Sequence, residues 1–203
     1  MLAAAAFLLL RRRHPPVGDD VAETIETIVP PIDMHAPPRA QIVLSLKPTR
    51  AGVNLLSATV EAEVTVENRG EAVAEDVRLA VRLYSAHRDN AAEFAGFYAE
   101  QMLRSTVPPF VLAPGEARAE RIVTALPRDA IRAMTAADRP MFVPIVALNC
   151  LYATAGVPAQ TAQAFAIGIE RAGSAKLAPF WLDGPPRMND QVAARPHADA
   201  TTS

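Results

Sequence analysis

The chain has 203 residues, enough for one domain with a self-supporting core and too few for two comfortable ones. Its 20 basic and 22 acidic residues leave a net charge of -2, without the clustered cations that nucleic-acid phosphates demand, and this excludes nucleic acid as a partner. Half the residues are hydrophobic but only 5% are aromatic, so the core must be built from Val, Ile and Leu, and the single Cys150 rules out an intramolecular disulfide.

Residues 2–10 form an unbroken apolar run that meets Arg11, Arg12 and Arg13. As a helix the run reaches about 14 Å, about half the hydrocarbon thickness of a bilayer. A secretory signal carries its basic residues before the apolar stretch, the reverse of this order. Two readings remain: a greasy leader, or the last half of a transmembrane helix that begins upstream and meets the cytoplasm at its arginines. We expect the second, which gives residues 1–13 the role of a truncated membrane anchor and puts the rest of the chain on the cytoplasmic side; a soluble cytoplasmic protein is the alternative. Residues 14–39, rich in proline and acid (Asp19, Asp20, Glu23, Glu26, Asp33), read as a flexible spacer.

Strand patterning begins at residue 40 and runs to residue 171. Ile42, Leu44 and Leu46 alternate with Val43, Ser45 and Lys47 in a first strand that Pro48 is expected to end. In the second, Leu56, Ala58, Val60, Ala62, Val64 and Val66 face one way, while Ser57, Thr59, Glu61, Glu63, Thr65 and Glu67 face the other, one face in the core and one in water. Asn68-Arg69-Gly70 supplies a turn in which Gly70 can take positive φ. A third strand carries Val77, Leu79, Val81 and Leu83 inward, with Arg78 and Arg82 outward.

Over residues 90–104 the period changes: Asn90 and Glu93 resemble a capping box, and Phe94, Phe97, Tyr98 and Met102 share one helical stripe. Pro108 and Pro109 bar any continuation of this helix. Ala113-Pro114-Gly115-Glu116 specifies a type II turn leading into a strand over residues 117–125. Residues 127–139 read as a loop with a helical turn at 130–134, and residues 141–152 as a central strand covered on both faces, with a bulge or unpaired position at Pro144. A last strand over 161–169 places Phe165, Ile167 and Ile169 on one face. Six or seven strands with these turn signals predict an all-β fold: an antiparallel immunoglobulin-like β-sandwich over residues 40–171, with one short inserted helix and extended N- and C-terminal segments.

The run Val64-Thr65-Val66-Glu67-Asn68-Arg69-Gly70, followed by Ala74-Glu75-Asp76-Val77 and later by Leu112-Ala113-Pro114-Gly115-Glu116, resembles CARDB-type, fibronectin-like adhesion modules of bacteria. That resemblance implies that the Asn-X-Gly turn crosses between opposite sheets. Phe142-Val143-Pro144-Ile145 with Ala147, Asn149 and Tyr152, and Lys176-Leu177-Ala178-Pro179-Phe180-Trp181-Leu182-Asp183 with Arg187, are similar to a group of uncharacterised alphaproteobacterial membrane-anchored proteins carrying one such domain. The resemblance implies a membrane helix, a spacer and one domain, and it carries no activity with it.

Catalytic and metal-binding signatures are weak throughout. Cys150 sits in the most apolar strand, His14, His35, His87 and His197 lack the paired spacing of metal sites, and no nucleophile elbow or phosphate loop occurs. No enzyme activity, cofactor or metal is expected. The tail, residues 172–203, puts Leu177, Phe180, Trp181 and Leu182 into a proline-rich stretch. It either folds back to cover a sandwich edge or docks a protein partner through Phe180, Trp181, Leu182 and Arg187, residue types that anchor interfaces. The expected function is a non-enzymatic interaction or scaffold module tethered to a membrane. An extracytoplasmic adhesion or ligand-carrying module and an enzyme of unrecognised type are the alternatives.

Overall fold

The alternating sequence over Ile42–Val53 (β1) and Ser57–Asn68 (β2) becomes a long antiparallel hairpin, with Ile42, Leu44, Leu46, Val60, Val64 and Val66 buried on one face. In this computed structural model residues 37–100, 105–197 and 201–202 are described, and Pro37–Ser203 forms one compact unit. The readings of residues 1–36, and that of Met102, lie outside the described residues. The chain continues through Ala74–Ser85 (β3), the helix Asn90–Ala99 (α1), Phe110–Leu112 (β4), Ala117–Pro127 (β5) and a 3-10 turn at Arg128–Ala130. Met134–Ala136 (β6), Arg139–Phe142 (β7), Pro144–Thr154 (β8) and Val157–Ile169 (β9) follow. The tail supplies Phe180–Trp181 (β10), Arg187–Asn189 (β11), Val192–Pro196 (β12) and Thr201–Thr202 (β13).

These strands make two antiparallel sheets packed face to face. The first has the order β11-β1-β2-β5 and the second β12-β9-β8-β3-β4, with β13 also on β9; β10, β7 and β6 form a small third sheet. The core between the sheets is aliphatic, as the composition requires, with Val60, Val64, Val66, Val77, Leu79 and Leu148 fully buried. The second sheet is covered on its outer face as well. There Phe94 and Phe97 of α1 pack on Ala80, Ile145, Ala147 and Ala164, which explains why β8 is apolar on both sides.

The helix ends where polar side chains of the sheet take its last carbonyls. Asn149 Nδ2 donates to Phe97 O at 3.3 Å and Gln160 Nε2 to Tyr98 O at 2.7 Å, satisfying groups that no further turn would reach. Helix α1 therefore stops at Ala99, short of the expected residue 104. The expected capping box is not formed: Asp89 holds the N-cap position, and Asn90 instead turns back to accept from His87 N at 2.7 Å and donate to Ser85 O at 3.0 Å.

The crossing turn is built around Asn68, which is fully buried. Its Oδ1 accepts from Gln41 N and Gly70 N at 3.1 and 3.0 Å, and its Nδ2 donates to Ala72 O and Leu112 O at 2.8 and 3.2 Å. β2 lies in the first sheet and β3 in the second, so the turn does pass between sheets. Gly70 serves it differently from expectation. It does not take positive φ; instead a Cβ there would collide with Arg39 O and Gln41 N, so the need is for close backbone approach. The type II turn forms as expected, with Gly115 at φ 75° and Glu116 N donating to Ala113 O at 3.0 Å.

Other expectations are corrected by pairing. Pro48 does not end β1, because its nitrogen points away from β2, where no ladder bond is due, and a bulge follows between Pro48 and Arg50. Leu56, expected in the core, is 83% exposed because it belongs to the hairpin turn rather than to β2. The apolar run at 141–152 is two strands broken at Val143, with Pro144 opening β8. The helical turn expected at 130–134 does not form there: a 3-10 turn lies just before it at Arg128–Ala130, and Met134 opens strand β6. The strand count exceeds six or seven because β6, β7 and the four strands of the tail are short.

Candidate functional site

The tail runs along one side of the sandwich and stitches the two sheets together. β11 pairs with the end of β1, with Val53 opposite Arg187, while β12 and β13 pair with β9 from Ile169 to Thr161. Two strand glycines receive it: a Cβ on Gly52 would strike Arg187 O and Met188 Cα, and one on Gly168 would strike Leu177 and the Ala178 carbonyl. Sequence reasoning passed over both, although a glycine inside a strand is a signal of close backbone approach.

Where the tail crosses the end of the sandwich it leaves a cleft of about 170 Å³. Val53, Ile169 and Phe180 give it an apolar floor, and Trp181, Arg139 and Arg187 stand around it. Phe180 is only 4% exposed and belongs to the core, where β10 pairs it with Phe142. Leu182 is half-buried against the core and hydrogen-bonds Pro140 O through its N–H at 3.0 Å; it does not line the cleft. Of the four expected docking residues, three therefore meet at the cleft, and Phe180 does so from inside the fold.

Arg139 lies over the Trp181 ring at 4.3 Å and forks onto Asp183 at 2.7 and 2.8 Å. The hydrogen bond from Arg139 holds the Asp183 carboxyl below the usual carboxylate range. The stack fixes the indole plane, and the Asp183 carboxylate neutralises Arg139. Arg187 makes no side-chain ion pair among the described residues and is exposed, so it is the cation the cleft offers to a ligand. Two residues beyond Val53, the β1–β2 turn projects Leu55 and Leu56, 78% and 83% exposed. That turn is rigid: Asn54 Oδ1 accepts from Leu56 N and Ser57 N at 2.7 and 2.8 Å, and Arg128 Nη1 holds Asn54 O at 2.7 Å.

A larger groove of about 390 Å³ lies beside α1, lined by Arg82, Tyr84, Glu93, Phe97, Glu100 and Arg132. Its charges are internally paired, Arg82 forked on Glu100 at 3.0 Å and Arg132 on Glu93 at 3.0 Å. His87 sits behind it, with Nδ1 accepting from Asp89 N at 3.1 Å and Nε2 2.9 Å from Glu93 Oε2 but out of hydrogen-bonding line. Cys150 is buried in β8, and burial pushes its thiol up to about 12. His197 meets Phe94 edge-on at 5.9 Å, and His14 and His35 lie outside the described residues. Among the described residues no three of His, Cys, Asp and Glu are grouped to hold a metal, and no helix is long and apolar enough to cross a membrane.

The polar groups that line the cleft are two guanidiniums, an indole and the amide of Asn189. Such groups bind and orient; none is a nucleophile or exchanges protons near neutral pH. Comparison of the chain with protein-family models, with curated proteins and with solved structures finds no match.

Proposed function

We propose that the domain is a non-enzymatic interaction module of immunoglobulin-like type, tethered to a membrane by a helix of which residues 2–10 are the last half, with the domain on the cytoplasmic side, and that the tail cleft is its recognition site. The observation that carries this reading is the convergence of an apolar floor, a fixed indole and an unpaired arginine beside two exposed, rigidly held leucines. Trp and Arg in such a setting are the residue types that anchor interfaces. The ligand that suits the cleft is a polypeptide segment with an apolar side chain next to a carboxylate, the side chain on Phe180 and the carboxylate on Arg187.

Trp181 is the only tryptophan, so its fluorescence reports the site directly. Titration of the full chain with short peptides ending in leucine should give a saturable change in emission, at least several-fold weaker when the peptide carboxylate is amidated or in Arg187→Ala. Absence of saturation with either peptide would sink the proposal. A reporter fused to the C-terminus of the natural gene product should be active only in the cytoplasm; activity outside it would reverse the assigned sidedness.

A further inference from the structure

The tail closes one side of the sandwich, and the opposite side ends on β5. This strand is 11 residues long and, among the described residues, pairs only with β2 and has no strand on its other edge. The ladder fixes which of its groups are free. Asn68 N donates to Glu116 O and Arg128 N to Leu56 O, so the even-numbered residues of β5 bond to β2. Ala117, Ala119, Arg121, Val123 and Ala125 therefore point their N–H and C=O groups outward along an exposed edge. Edges of this length are normally covered or blunted, and the other edge strands of the two main sheets are five residues or shorter.

We propose that β5 pairs antiparallel with β5 of a second copy of this chain, joining the two β2-containing sheets across a two-fold axis at Ala119. The charges select this register. With the axis at Ala119, Arg118 of each copy lies opposite Glu120 of the other, and Arg121 lies opposite Ala117. Moving the axis by one residue sets Glu120 against Glu120 or Arg118 against Arg118, and moving it to Arg121 sets two guanidiniums against each other, while a half-residue shift would match odd-numbered residues with even ones. Only the odd-numbered residues bring free N–H and C=O groups, and the Ala119 register matches odd with odd. Arg118, stacked over Phe110 at 4.4 Å and bonded to Glu120 within its own chain, already stands at this seam. Two such pairs then form one four-charge cluster across the axis.

The test is sedimentation velocity of the full chain from about 1 µM to a few hundred micromolar, the range of weak homodimers. The expected result is a concentration-dependent species of twice the 21.7 kDa chain mass. Ala119→Pro removes an N–H that has no partner among the described residues, and should abolish the dimer while leaving the melting temperature near the parent value. Arg118→Glu should weaken it at least tenfold, and the double variant Arg118→Glu/Glu120→Arg should restore it. A chain that stays monomeric throughout overturns the proposal. So does a dimer that survives Ala119→Pro, as one made by the apolar residues 2–10 would, or one that Arg118→Glu leaves intact.

Discussion

Replacing Asn68 by Ala tests whether the crossing turn is the polar centre of the fold. The side chain is fully buried and makes four hydrogen bonds, to Gln41 N, Gly70 N, Ala72 O and Leu112 O. Removing it strands four backbone groups. Leu112 O is deep and costs about 1–3 kcal/mol when left unpaired, while the three nearer the surface regain water and cost about 0.5–1 kcal/mol each. The expected destabilisation is about 2.5–6 kcal/mol, a large share of the roughly 5–15 kcal/mol that holds a domain of this size. Urea unfolding followed through Trp181 measures it, and a loss under about 1 kcal/mol would refute the reasoning. Asn68→Asp sharpens the test, because the introduced carboxylate faces two carbonyl oxygens where Nδ2 donated. Its folded pKa must rise above the ordinary value near ~3.9, so the folded state holds a proton that the unfolded state releases. That variant should lose stability as pH rises from about 4 through the raised folded pKa, the opposite slope to a salt-bridged aspartate.

Deleting the chain after Ser174 should lower the melting temperature and expose dye-binding apolar surface, because Phe180 and Val192 leave the core; an unchanged melting temperature would show the tail to be an appendage. The single change Phe180→Ala should cost about 3–5 kcal/mol in urea unfolding for the same reason. Cys150 should resist thiol reagents in the native protein at pH 8 and react only at the rate of unfolding, since burial both shields the thiol and holds it protonated; stoichiometric labelling on mixing would contradict its placement. Asp183 contributes its hydrogen bond with Arg139 above the ordinary carboxylate pKa and loses it as pH falls through the depressed folded value. Trp181 emission should therefore shift in acid in the parent and stay flat over the same range in Asp183→Asn.

What the sequence disclosed follows from how each element is stabilised. β2 was legible residue by residue because its two faces meet different media, and alternation survives only where that is so. The central strand was legible for the opposite reason: covered by β2's sheet on one side and α1 on the other, it is apolar almost throughout, with Asn149 the buried exception. Ala113-Pro114-Gly115-Glu116 was legible because the turn's dihedral angles are a local demand. The end of α1 was not, since Asn149 and Gln160 decide it from strands that lie more than fifty residues away in sequence. Pro48 misled because a proline stops a strand only if its missing N–H was owed to a neighbour, and that depends on register.

The tail shows why the candidate site was half legible. Its residue types were informative, and Phe180, Trp181 and Arg187 do converge, but the pattern alone could not separate a docking motif from a cover. Each of its strands pairs for only two to five residues, too few for either face to develop a period. The complementary information lies in the strands that receive it, where Gly52 and Gly168 hold open the space for the tail backbone. Cover and cleft are then one arrangement. Phe180 must enter the core for the tail to close the sandwich, and its entry draws Trp181 and Arg187 to the surface around Val53. A substitution that loosens the cover should therefore abolish ligand binding, whereas one at Arg187 should weaken binding at least several-fold and leave the cover in place. That asymmetry distinguishes a recognition site built on a structural tail from a tail that is structural alone.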